Sequence, residues 1–108
     1  MNKKTILNLP DITKEIESVV SYNSYVKRVG IFGSYARNEA TNNSDIDFVL
    51  DYTNLDDVIG YFSLCDEIEK LFAKYNISVD MIQYEAITYP ENRIIKEEID
   101  RDVVWVYG

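Results

Sequence analysis

A chain of 108 residues with 46% apolar and 13% aromatic side chains reads as one folded domain, 1–108, with room for a single core. Its formal net charge of −8 argues against long nucleic acid as a partner, since phosphate-backbone binding needs clustered bases and Lys3-Lys4, Lys27-Arg28 and Lys70/Lys74 are scattered. With no histidine and one cysteine, Cys65, it excludes a Cys/His zinc cluster, a Ser-His or Cys-His nucleophile pair and an internal disulfide, so any metal chemistry must use oxygen ligands.

No apolar run approaches the roughly 20 residues of a membrane span, and the N-terminus lacks an apolar core long enough for a secretory signal. A cytoplasmic protein is expected. The acidity serves either solubility or the recognition of a basic protein partner.

The first element expected is a helix after Pro10-Asp11, capped by Asp11 or Thr13, with Ile12, Ile16, Val19 and Val20 at helical spacing. Tyr22-Asn-Ser-Tyr25 breaks it, and Val26–Phe32 reads as a strand in which Gly30 permits close backbone approach. Gly33-Ser34 then sits where a strand hands over to a helical turn, a place where absent Cβ bulk and free N–H groups suit a phosphate. Arg37 follows one turn later and is placed either to lean back toward an anion or to form a surface ion pair. Asn38 is tolerant of a left-handed conformation, and residues 39–44 form a polar loop.

A second strand opens on Asp45 and Asp47, which share a face with Cα atoms about 6.5–7 Å apart, so both carboxylates can close on one hard cation. Beyond them Ile46, Phe48, Val49 and Leu50 are apolar on both faces, as in a covered central strand, and Asp51 is expected to end it.

Leu55, Val58, Ile59, Phe62, Cys65, Ile68, Leu71, Phe72 and Tyr75 trace the core stripe of a long helix, and Cys65 reads as a small buried apolar residue. Asn76 stops that helix and 77–83 alternates as a third strand. Asp80 stands between Val79 and Met81, where an unpaired buried charge is costly. It is either solvated or ion-paired, or it belongs to a functional site. After Ile87-Thr-Tyr-Pro90, a polar break, come a short helix with Ile94, Ile95, Glu98 and Ile99 and a closing strand, 103–107. Nine tyrosines and Trp105 exceed what a small core needs, so some should lie at a partner surface. The order of elements implies an α+β (α/β) fold, a small mixed sheet backed by helices on one face.

Gly33-Ser34-Tyr35-Ala36-Arg37 followed by Ser44-Asp45-Ile46-Asp47 resembles the signature of the DNA polymerase beta-like nucleotidyltransferase superfamily. The wording is closest to its minimal members, the MNT-type antitoxins encoded beside HEPN-domain toxins, and the likeness runs from about Val26 to Val106. It implies a catalytic and metal-binding triad of Asp45, Asp47 and Asp80, with Asp80 carried on the strand beside the other two. Gly33, Ser34, Arg37 and Ser44 are the implied nucleotide-binding residues.

The resemblance further implies two magnesium ions and ATP as the substrate, with AMP passing to a hydroxyl, a tyrosine by expectation, of a HEPN-domain toxin in a hetero-oligomer. Two rival readings accompany it. In one the fold neutralises its toxin by contact alone; in the other the acceptor is a small molecule, for which this chain has no acceptor domain.

Overall fold

A computed structural model describes residues 6–88, 91 and 93–108. Along the chain run α1 (Leu9–Val20), β1 (Val26–Phe32), α2 (Gly33–Ala36), β2 (Ile46–Tyr52), α3 (Val58–Ala73), β3 (Val79–Gln83), a 3-10 helix (Tyr84–Thr88), α4 (Arg93–Asp102) and β4 (Val104–Tyr107). The sheet has the order β3-β2-β1-β4, with β1 antiparallel to both neighbours and β2 parallel to β3. The fold is thus the expected mixed sheet with helices. Among the described residues no helix is long and apolar enough to cross a membrane. Tyr89 and Pro90 of the expected polar break lie outside the described residues.

Alternation in the strands divides the sheet into two faces. Ile31 of β1 and Ile46, Phe48 and Leu50 of β2 point to the larger core, where they meet Ile12, Ile16 and Val20 of α1 and Leu64, Ile68 and Phe72 of α3. Phe32, Val49, Trp105 and Ile82 point the other way and are covered by Ile99 and Val103 at the end of α4. Helices therefore cover both faces, whereas one face was expected. Only Ile99 of α4 is buried, which is too narrow a stripe to reveal from sequence which face it would cover.

Three other expectations are corrected. Helix α1 is capped by Asn8, whose side chain accepts from the Asp11 N–H at 2.8 Å, so Pro10 lies inside the first turn, where its missing N–H costs nothing. Asp51 does not end β2, which continues to Tyr52. It is buried and accepts from Arg28 Nε at 3.1 Å, and the Arg28 guanidinium lies 3.9 Å from the Trp105 ring centroid and 4.8 Å from that of Tyr84. Finally, Leu55, Val58, Ile59 and Phe62 are exposed, and the stripe that α3 buries is Leu64, Ile68 and Phe72. Cys65 is half-buried against that core.

Asn38 and Asn76 both take positive φ, 60° and 59°, as expected of residues that close a helix. Gly30 is where β1 is pressed most tightly. A Cβ there would stand 2.6 Å from Val103 Cγ2 and 2.9 Å from atoms of Trp105 and Val49. Gly30→Ala is expected to destabilise the fold by about 1–3 kcal/mol, read as a lower midpoint in urea at unchanged slope.

Candidate active site

The antiparallel register of β1 and β2 sets Phe32 opposite Asp47, and the parallel register of β2 and β3 sets Asp47 opposite Asp80. Neighbouring strands lie about 4.8 Å apart, so Asp47 and Asp80 stand side by side on one face of the sheet. Asp45 immediately precedes β2, two residues from Asp47. Like charges directly opposite each other on adjacent strands weaken a sheet; here Asp80 and Asp45 are exposed to water and Asp47 is half-buried.

No described hydrogen bond or salt bridge offsets these three carboxylates. Asp47 is half-buried, and its carboxyl is pushed up to about 6, first by loss of water, then by the charges of Asp80, Asp45 and Glu98, against a smaller opposing pull from Arg37. Glu98, on α4, is the contributor that sequence reasoning did not single out, because only folding brings that helix over this face.

Gly33 follows the residue paired with Asp47, which brings the turn against the carboxylates. Its φ is +73°, and a Cβ built on it would lie 2.3 Å from Asp47 Oδ2. Glycine is required twice over, by the backbone and by the neighbour. Gly33 opens the single turn of α2 and Ser34 follows, half-buried; the first N–H groups of that turn have no carbonyl one turn back to bind. Tyr35 anchors that turn in the core.

Arg37 is engaged on two sides: Nε meets Glu39 at 3.2 Å and Nη1 meets Asp102 at 3.0 Å. It ties α2 to the end of α4 and still stands near enough to Asp47 to lower its carboxyl. Ser44 closes the preceding loop, its hydroxyl accepting from the Thr41 N–H at 2.8 Å, which fixes the approach to Asp45.

The donor set suits a small hard cation held with its water. Among the described residues no three acidic or sulfur side chains close into a ready-made cage. Carboxylate oxygens of this kind are the donors that a hard cation such as magnesium takes, together with water and substrate phosphate.

A mixed sheet that sets a Gly-Ser turn against aspartates on adjacent strands is the arrangement of a nucleotidyltransferase. The family described as polymerase beta, nucleotidyltransferase matches residues 14–107, and the chain belongs to it. A Methanocaldococcus jannaschii protein provisionally named protein adenylyltransferase MJ0128 is 36% identical over 103 residues, covering 95% of this chain and 99% of its own. Protein adenylyltransferase MntA of Thermococcus cleftensis is 27% identical over 100 residues, covering 86% of this chain and 94% of its own. A crystal structure described as a toxin-antitoxin with AMP-PNP shares the fold, with a TM-score of 0.65 at 20% identity over 94% of this chain and 74% of that one.

Proposed function

We propose that the chain transfers AMP from magnesium ATP to a tyrosine hydroxyl of a HEPN-domain toxin, and so acts as the antitoxin of a cytoplasmic pair. The observation that carries this reading is the uncompensated juxtaposition of Asp47 and Asp80 beside the Gly33-Ser34 turn. Support comes also from relatives named protein adenylyltransferase and from the AMP-PNP bound in a toxin-antitoxin structure of the same fold.

Asp45 and Asp47 would hold both magnesium ions and Asp80 one of them. When bound, the metal neutralises triphosphate charge and lowers the pKa of the attacking hydroxyl. Gly33 and Ser34 donate to the β- and γ-phosphates from the backbone and the hydroxyl, with Arg37 adding positive charge nearby and Ser44 shaping the loop. The tyrosine oxygen bonds to the α-phosphorus, the bond from that phosphorus to the bridging oxygen breaks, and pyrophosphate leaves with the electron pair. The phenolic proton passes to water. An anionic, bulky group then sits on the toxin, where it repels RNA.

The test is to incubate the chain and a purified HEPN-domain toxin with magnesium ATP and measure the toxin's intact mass. One or more AMP additions that require Asp45, Asp47 and Asp80 are expected. Toxin inhibition without a mass change, retained by carboxylate variants, would leave a binding-only antitoxin. Asp80→Asn is expected to keep the fold and most ATP affinity, measured by thermal shift, while transfer falls by about 10²–10³-fold. Normal transfer by this variant would reduce Asp80 to a solvated edge residue.

A further inference from the structure

Leu55 and the first two turns of α3 carry an apolar surface that no described residue covers. Leu55, Val58, Ile59 and Phe62 are 58%, 55%, 82% and 63% exposed, far more than scattered surface apolar residues require. Tyr22 and Tyr25 are exposed as well, on the neighbouring side of α3 where they line a hollow with Gly60 and Ser63. Between α3 and the end of β2 lies a groove of about 280 Å³ with Tyr52, Leu55, Val58 and Phe62 in its walls.

The surface is built on a rigid base. Tyr25, Tyr52, Tyr61 and Phe62 form a chain of ring contacts with centroids 5.7, 5.6 and 5.6 Å apart. Asp57 locks the start of α3 to that chain: one carboxylate oxygen accepts from the Gly60 N–H at 3.0 Å and the other from the Tyr52 hydroxyl at 2.8 Å. Preset aromatic side chains lose little freedom on association, which favours their use as anchors.

Charge selects the occupant. From Asn54 to Glu69 the chain holds five carboxylates and no Lys or Arg; Asp57 is engaged by Tyr52 and Gly60 and Asp66 pairs with Lys70 at 3.0 Å, which leaves Asp56, Glu67 and Glu69 in no ion pair among the described residues. A second copy of this chain, itself at −8, would set those carboxylates against their equals. A segment with apolar side chains bordered by Lys or Arg would meet both the patch and its rim. We propose that this patch is the docking surface for the protein partner, through such a segment; that the partner is the toxin rests on the function proposed above. Tyr52 is five residues along β2 from Asp47, roughly 17 Å, so docking leaves the carboxylate end open to nucleotide.

Complex formation between the chain and the purified toxin, followed by calorimetry and size exclusion, tests this directly. Ile59→Asp with Phe62→Asp is expected to weaken the complex at least 100-fold while magnesium ATP still raises the melting temperature as in the wild type. Both positions are exposed, so the fold should survive; Glu67→Lys with Glu69→Lys, which leaves the apolar residues in place, should weaken the complex about tenfold and flatten its salt dependence. Wild-type affinity in both double variants would overturn the docking surface and leave the proposed function standing. A wild-type chain that neither binds the toxin nor adds AMP to it would overturn that function, and the docking surface with it; AMP transfer without a measurable complex would overturn the docking surface alone. A wild-type chain that elutes alone as a dimer, broken by the Asp variants, would assign the patch to a second copy.

Discussion

Asp47→Asn is expected to remove adenylyl transfer by at least about 10³-fold and, in the absence of metal, to make the protein more stable. Both effects have one origin. Asp47 lies beside Asp80 on the next strand, near Asp45 and Glu98, and burial together with those charges pushes its carboxyl up to about 6. A carboxyl raised in the folded state binds its proton more tightly there than in the unfolded chain. It contributes stability that is present at low pH and lost as pH rises through about 6, so at neutral pH the ionised group is a burden on the fold.

Asparagine keeps the shape and removes that burden. Allowing for solvent screening at a half-buried site, the gain is on the order of 1 kcal/mol, or a rise of about 4–8 °C in melting temperature for a domain of this size. Melting curves between pH 4 and 8 check the sign: without divalent ions the wild type should lose stability relative to the variant from pH 4 to 6, the effects of other groups being common to both. Magnesium with ATP should raise the wild-type midpoint at pH 7 and leave the variant largely unmoved. A variant less stable than the wild type at pH 7 would mean that Asp47 is held by the fold and not strained by it.

Much of this site was readable from residue order because local rules decide it. Apolar runs marked β1 and β2 and alternation marked β3; Asn38 was expected to tolerate a left-handed backbone and Asn76 to stop a helix, and both have positive φ, as does Gly33. Asp80 stood out as a carboxylate between apolar residues; the structure leaves it exposed, and the parallel pairing sets it opposite Asp47.

What sequence did not reveal depends on contacts between distant segments. Arg37 and Asp102 are 65 residues apart, and their ion pair is visible only once α4 lies over the sheet. The Arg28–Asp51 pair between Tyr84 and Trp105 is of the same kind, joining three strands and the 3-10 helix. Helix α3 misled for another reason. It is apolar on more than one face near its start, so periodicity alone could not say which stripe faces the core. Leu64, Ile68 and Phe72 took that role and left Leu55 to Phe62 outward.

Gly33→Ala is the sharper test of how the turn and the carboxylates are coupled. Two costs fall on the added methyl group. At φ +73° an alanine is in the left-handed region, disfavoured by roughly 1–2 kcal/mol. The new Cβ would also stand 2.3 Å from Asp47 Oδ2, closer than any carbon and oxygen approach without a bond, so the carboxylate or the turn must move by about 1 Å.

A displacement of that size in a reacting geometry costs about 10²-fold, and transfer is expected to fall by at least that much while the protein still folds. The two costs separate in a double-mutant cycle, because Asp47→Ala removes the atom that the methyl group would strike. In the Asp47→Ala background Gly33→Ala should cost only the backbone strain, whereas in the wild-type background urea unfolding should show the strain and the clash together. Equal destabilisation in the two backgrounds would mean that Gly33 serves the backbone alone. A smaller cost in the Asp47→Ala background would tie the turn to the aspartate, since the contact removed with Asp47 is the one that requires glycine at this position.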